Sequence, residues 1–353
     1  MNAPPARSEL VCVAHVHSTY SDGTATVAEM AAAARGTGAD ALLLTDHDSL
    51  AARRDGWEGW REGVLVMVGH EVSTRHGHYL AFGLDDEIDH RGLSEADICR
   101  AVADRGGVGF AAHPFSLGSR MSRRIGRPHP WSALEDEACH GIELWSLVTD
   151  AAEAWRSPLD AVRFMRRPGD WLAAPPRASL ARWDDLCRGR RVPAIAGLDA
   201  HQTGVRVRGR VLSPMPHERY FGLVRTHLLL ERPPTGESAP DAALALSALR
   251  AGSCFIGVDA HADSRGFRFW AESTNRRVEM GEEAGAGDFQ LQAILPRPAR
   301  VRLLRDGQRV AEVSGDRLVH RTSAAGVYRI EAALELGGRE RLWLLSNPIY
   351  LRV

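Results

Sequence analysis

No lysine occurs anywhere in the 353 residues, so the positive charge rests on 44 arginines. That excludes Schiff-base chemistry and the lysine of a phosphate-binding loop. Cysteine is scarce. Cys12, Cys99, Cys139, Cys187 and Cys254 are odd in number, widely spaced and set among apolar residues, which predicts reduced core thiols of a cytoplasmic protein. Nowhere do eighteen apolar residues run together, so no membrane-spanning helix is expected. Residues 1–8 are rich in Pro and Ala and lack a basic stretch followed by an apolar run; they read as a disordered N-terminus and not as a signal peptide. Net charge is also almost absent, at −1 with a pI near 7.0. The whole-molecule field therefore does not favour polyanions, no stable nucleic-acid complex is expected, and the oligomeric state is not legible. Chemistry has to come from histidines, carboxylates and what they bind.

Those side chains fall at regular places. His15 and His17 close an apolar strand, Glu9 to Val16, and alternate residues of a strand point to one side. Two imidazoles at one apolar strand end would be costly to bury without a partner, and one cation could take both. Asp22 follows on the turn Ser21-Asp22-Gly23. His47 ends the next apolar run in Thr45-Asp46-His47-Asp48. Glu71, His78 and His113 stand at later strand ends, Glu143 in Gly-Ile-Glu-Leu-Trp is a candidate for orienting a ligand from behind, and Asp199 with His201 repeats the one-residue spacing. These nine nitrogen or oxygen donors, His15, His17, Asp22, His47, Glu71, His78, His113, Asp199 and His201, exceed what one ion needs.

Strand and helix signals alternate through the first two thirds, the pattern of parallel strands with crossover helices. Helices are expected at Thr26–Arg35, ended by Gly36, at Ser94–Asp104 with Ser94 as cap, around 150–167 and 179–188, and at Asp241–Ala251 ended by Gly252. Strands are expected at 41–44, 64–68, 79–82, 108–112, 142–145, 194–197 and 223–230. From about residue 265 helices vanish and about five short alternating strands follow, with hairpins at Asp306-Gly307 and Gly337-Gly338. This tail, residues 263–353, reads as a small β-sandwich whose role is structural; residues 9–262 form the main domain.

At these motifs, His15-Val16-His17-Ser18, Ser21-Asp22-Gly23, Leu44-Thr45-Asp46-His47-Asp48, Gly69-His70-Glu71, Ala112-His113-Pro114 and Leu198-Asp199-Ala200-His201, the chain resembles the PHP (polymerase and histidinol phosphatase) family of metal-dependent hydrolases over roughly residues 9–260. The resemblance implies an α/β fold, a distorted seven-stranded β/α barrel, and two or three divalent ions (zinc, manganese or iron). It implies that His15, His17, Glu71 and Asp199 surround one ion, Glu71 with His78 and His113 a second, and Asp22, His47 and His201 a third. Asp22 stands where some relatives carry histidine. The segments 325–331 and 343–350 are similar to the tail of CehA/McbA-type members, a subgroup that includes a carbaryl hydrolase.

Metal ions sharing one hydroxide would make a nucleophile at neutral pH without serine or cysteine, with Glu71, Asp199 and His201 as the catalytic group and Glu71 as the bridging carboxylate. Arg120, Arg123, Arg124 and Arg127, on a Gly/Pro-containing loop, are candidate clamps for a phosphate-bearing small molecule; Arg206, Arg208 and Arg210 are a second, alternating set. For the leaving-group acid, His76, His217 and Asp46 are open alternatives. The expected activity is hydrolysis of a small phosphorylated metabolite or nucleotide; the alternative is a CehA/McbA-type carbamate, ester or amide hydrolase. A non-catalytic scaffold would predict missing donors, and all nine are present.

Overall fold

The computed structural model describes residues 7–121 and 127–353. Seven strands make up the part that carries the motifs: β1 (Ser8–Val16), β2 (Ala41–His47), β3 (Val64–Ser73), β4 (His78–Phe82), β5 (Val108–Ala112), β6 (Gly141–Ser146) and β7 (Ala194–Gly197). They pair in series. β1–β2 and β2–β3 are parallel, β3–β4 and β4–β5 antiparallel, β5–β6 and β6–β7 parallel. The chain just beyond β7 returns to β1, where the Leu198 amide donates to the Ala14 carbonyl and the His17 amide to the Ala200 carbonyl, both at 3.0 Å.

Alternation along these strands sorts their side chains into two cores. Leu10, Cys12, Ala14, Leu43, Met67, Leu80, Phe110 and Ile195 share one cluster. Their neighbours Val13, Leu42, Val66, Ala81, Ala111, Ile142 and Ala196 belong to another, which they share with residues of the flanking helices. Those helices form where caps and composition direct. α1 (Val27–Gly36) starts at Thr26 and α2 (Glu95–Asp104) at Ser94, each with a complete capping box, in which the cap hydroxyl and the third residue's carboxylate satisfy amides that the first turn leaves free. The single helical stretch expected around 150–167 is divided at Ser157-Pro158 into α3 (Leu147–Ala154) and α4 (Pro158–Arg166), because proline opens a helix but does not continue one. α5 (Arg177–Gly189) and α6 (Ser238–Ala251) follow, and Gly252 ends α6 with a left-handed φ of 69°.

The strand expected at 223–230 forms, and a further one follows α6. β8 (Arg225–Leu230) pairs antiparallel with β1, and β9 (Cys254–Gly257) antiparallel with β8. The tail is longer-stranded than expected. It contains eight strands and not five, including β10 (Arg268–Glu272), β11 (Phe289–Arg305), β12 (Gln308–Thr322), β13 (Gly326–Leu336), β14 (Arg339–Ser346) and β15 (Ile349–Arg352). β11 breaks register between Ile294 and Ala299, the stretch that holds Pro296 and Pro298, which cannot donate to a ladder. Before that break β11 pairs with β10, and after it with β13. Both hairpins form as expected: Asp306 and Gly307 have φ of 52° and 80°, Gly337 and Gly338 60° and 72°, the positive pair that a two-residue turn of matching twist requires.

Contacts cross both expected boundaries. Residues 1–6 of the expected disordered N-terminus lie outside the described residues, but Arg7 donates to Ser253 Oγ at 3.0 Å and Ser8 already opens β1. The sheet does not stop at residue 262 either: β14 pairs antiparallel with β9, the Asn347 side chain donates to the Ala194 and Cys254 carbonyls and accepts from the Ala194 amide, and the buried Arg329 forms a two-pronged pair with Asp184 at 2.7 and 2.9 Å. All five cysteines are buried and unpaired. No helix among the described residues is long and apolar enough to cross a membrane.

Candidate metal centre

All nine candidate donors come together at one end of the strand series. Glu71, deep in β3, is the hub. Its Oε2 lies 3.3 Å from His15 Nε2, 3.3 Å from His17 Nε2 and 3.2 Å from His47 Nδ1, while Oε1 lies 2.9 Å from His78 Nδ1 and 3.5 Å from His113 Nε2. Asp199 Oδ1 faces His15 and His17 at 3.6 Å each and His201 at 3.7 Å. Asp22 closes the far side, 3.2 Å from His201 Nε2 and 3.7 Å from His47 Nε2. Three donor groups are compact enough to hold an ion: His15, His17 and Asp199; His15, Glu71 and His113; His17, Asp22, His47 and His201.

Pleat alternation does not by itself aim these side chains. His15, His113 and Asp199 have left-handed backbones, with φ of 57°, 30° and 53°, a conformation that costs a non-glycine residue about 1–3 kcal/mol. At His15 the β1–β2 register slips between Ala14 and Val16, a bulge that re-aims the ring. Same-face spacing thus located His15 and His17 correctly, but the bulge delivers the geometry.

A surrounding shell holds the donors. Glu143 Oε1 is 2.8 Å from His15 Nδ1, and its Oε2 accepts from the His113 amide at 2.9 Å; Thr149 Oγ1 donates to Asp199, and His47 Nδ1 is 2.7 Å from Ser73 Oγ. Burial pushes the Glu71 carboxyl up, but His15 and His78 outweigh it and hold it well below the usual carboxylate range; Asp199 is held down in the same way by His15, His17 and His201. Burial lowers the His201 imidazole, yet its bond to Asp22 and the nearby Asp199 raise it to about 9, whereas His17, where burial wins, falls to about 4.

The donor set fits cations. His15 Nε2, His17 Nε2 and Glu71 Oε2 are buried without a hydrogen-bond partner among the described residues, although both nitrogens lie 3.3 Å from that oxygen. Unsatisfied buried polar atoms are costly, and a shared divalent ion would satisfy all three; His17 Nδ1, also without a partner, faces Asp22 at 3.9 Å. Imidazole with carboxylate and no thiolate suits zinc, manganese or iron.

The centre opens into a cavity of about 990 Å³ lined by Asp22, His47, His78, His113, Asp199 and His201 on one side and by Arg127, Val148, Thr149 and Glu153 on others. Of the four candidate clamp arginines, Arg127 reaches it; Arg120 is exposed and not part of the lining, and Arg123 and Arg124 lie outside the described residues. Arg206 is engaged elsewhere, paired with Glu29 through two contacts of 2.8 Å. None of the three leaving-group candidates lines the cavity: Asp46 accepts from Ser18 and Ser21, His217 is buried against Phe221, and His76 faces a separate groove. Sequence reasoning passed over Thr149, Glu153 and His129. The signal for His129 was its setting, Arg127-Pro128-His129-Pro130, overshadowed by the arginines around it.

The family model of the PHP domain matches residues 14–96, which span His15 through His78. That stretch of the chain is similar to a PHP domain. An uncharacterized protein of Methanocaldococcus jannaschii is 26% identical over 124 residues, 30% of this chain and 72% of that protein. Among solved structures, a two-domain protein containing a predicted PHP-like metal-dependent phosphoesterase from Bacteroides vulgatus is 15% identical, with 97% of this chain and 96% of the other covered at a TM-score of 0.43. An amidohydrolase from Chromobacterium violaceum, with bound sulfate and no metal, is 19% identical, with 58% and 92% covered at a TM-score of 0.31. The matched stretch supplies His15, His17, Asp22, His47, Glu71 and His78, six of the nine donors.

Proposed function

We propose that the chain is a metal-dependent phosphoesterase acting on a small phosphate-bearing molecule in the cytoplasm, with residues 9–262 forming a distorted seven-stranded barrel and 263–353 a β-sandwich that braces it. The observation that carries this is the division of Glu71: one carboxylate oxygen serves His15, His17 and His47, the other His78 and His113. So placed, Glu71 would help to hold one ion with His15, His17 and Asp199 and a second with His78 and His113, and Asp22, His47 and His201 would hold a third.

Divalent ions held there supply Lewis acidity and lower the pKa of a bound water. The protein's part is to place charge. Glu143 fixes the His15 ring, Thr149 fixes Asp199, and Asp199 and His201 present their polar atoms to the cavity. Arg127 stands at the rim, where a guanidinium neutralises phosphoryl oxygens that the ions leave uncovered. The CehA/McbA-type alternative, hydrolysis of a carbamate, ester or amide, is supported by the apolar part of the same lining, Val148 and Ala152. Elemental analysis of the purified protein, followed by assay of the metal-loaded form against phosphomonoesters, phosphodiesters and carbamates, separates the two. Turnover of a phosphate ester upholds the primary reading; turnover of a carbamate with phosphate esters inert rejects it.

A further inference from the structure

His129 is a cavity-lining imidazole with no assigned task. Its ring stacks on that of His78, with centroids 4.5 Å apart and planes 30° from parallel, and lies 6.3 Å from the ring of His113. Its Nδ1 is buried and lacks a hydrogen-bond partner among the described residues. Neither it nor His78 belongs to the three donor groups compact enough to hold an ion, but His78 Nδ1 reaches Glu71 Oε1 at 2.9 Å, whereas His129 Nδ1 has no such partner among the described residues. His129 lines the cavity beside the metal donors.

The segment that carries it is built to stay put. Arg127 and His129 each precede a proline, which confines both to extended backbone, and alternate residues of an extended segment face one side; both line the cavity. Trp131 anchors one end, buried, stacked on Tyr79 at 5.2 Å, with its amide donating to the Pro114 carbonyl at 3.0 Å next to His113. The other leg of the loop is tied by Glu153, whose Oε1 accepts from the Ser116 hydroxyl and from the Leu117 and Gly118 amides at 2.9 Å. The legs touch at Gly118, where φ is 76° and a Cβ would come within 2.7 Å of the Pro128 nitrogen. No such bracing is needed for a solvated surface histidine.

Resting on the phosphoesterase reading, we propose that His129 contacts the substrate directly, donating a ring N–H to a phosphoryl oxygen alongside Arg127, and so helps select phosphate over a neutral acyl group. A neutral carbamate offers no comparable set of anionic oxygens to this pair. The ring's N–H would complement the arginine's charge from the same side of the cavity.

The test uses metal-loaded full-length protein, unaltered and as His129→Ala and His129→Gln, with inorganic phosphate as the probe in direct binding titrations and metal content measured in parallel. The alanine variant should keep its full metal content and bind phosphate about tenfold more weakly, the scale of one hydrogen bond, with glutamine, which restores an N–H donor, recovering part of the loss. Equal phosphate affinity in all three proteins overturns the inference alone, as does loss of a metal equivalent in the alanine variant, which would make His129 a ligand. Failure of phosphate to bind the unaltered protein sinks the phosphoesterase reading and this inference with it.

Discussion

Glu143 and His15 meet at 2.8 Å beneath the donor cluster, and the same carboxylate also takes the His113 amide. One side chain thereby fixes the His15 ring and the backbone of His113. Partners of this kind contribute about 10–100-fold to metal affinity. Glu143→Gln should therefore weaken metal binding by that order while leaving every donor in place, measured by competition with a chromophoric chelator. Unchanged affinity would reduce Glu143 to a buried packing residue.

Stripping the ions should destabilise the fold, because the orphaned atoms of His15, His17 and Glu71 then face one another unpaired. A ligand held only by the native state at 100 times its Kd adds about 2.7 kcal/mol. The thermal midpoint of the metal-loaded protein should exceed that of the chelator-treated protein by several degrees and return on adding zinc or manganese. Coincident melting curves would show that nothing binds.

Gly197 runs directly under the centre, where a methyl group would collide with Glu143 Oε1 and approach the His15 Cβ to 2.6 Å. Gly197→Ala should cost about 1–3 kcal/mol through overpacking and lower metal affinity by displacing Glu143. Gly189→Ala, at the end of α5 with nothing within 4 Å, is the control and should be neutral or slightly stabilising. Equal melting temperatures for the two variants would contradict the close approach.

At the other end of β1, His227 is clasped between Glu9, 2.8 Å from Nδ1, and Asp259, 3.2 Å from Nε2, with Arg268 2.7 Å from Glu9. Burial lowers this imidazole, but bonds to Asp259 and Glu9 raise it above its usual value; burial raises the two carboxyls, but His227 holds both below theirs. A raised histidine contributes stability fully below its unfolded pKa, about 6.5, and loses it as pH climbs through the folded value; the lowered carboxylates contribute above about 4 and lose it as pH falls. Stability from this cluster should peak between these limits. His227→Leu, leaving two buried carboxylates short of a partner, should cost about 3–5 kcal/mol and flatten the decline above pH 6.5 in denaturant midpoints taken across pH. An unaltered profile would show that the ring is neutral in the fold.

The metal centre was legible because its chemistry is written in residue types that are rarely buried without cause. His15-Val16-His17 and Asp199-Ala200-His201 at the ends of apolar runs announce convergence, and the domain match over 14–96 agrees. The left-handed turns at His15, His113 and Asp199 left no trace, since none of those residues is glycine or asparagine. Strands could be read from alternation, the first helix from its alanines and Gly36, and the helix at Ser94–Asp104 from its cap, Ser94. The tail has more strands than expected, and alternation does not reveal that β11 runs through Pro296 and Pro298, breaking register there and exchanging β10 for β13 as a neighbour. His129 was hidden because a single histidine among arginines has no pattern of its own; only the cavity singles it out.

The pairing of β14 with β9, with Asn347 clamping Ala194 and Cys254, means that the strands before residue 262 have no finished edge of their own. A chain cut there would present β9 as a naked ladder and take from Ala194 the side chain that caps its amide and carbonyl, on the strand that leads straight to Asp199. Trimming this tail would therefore disturb the aspartate rather than merely remove an ornament.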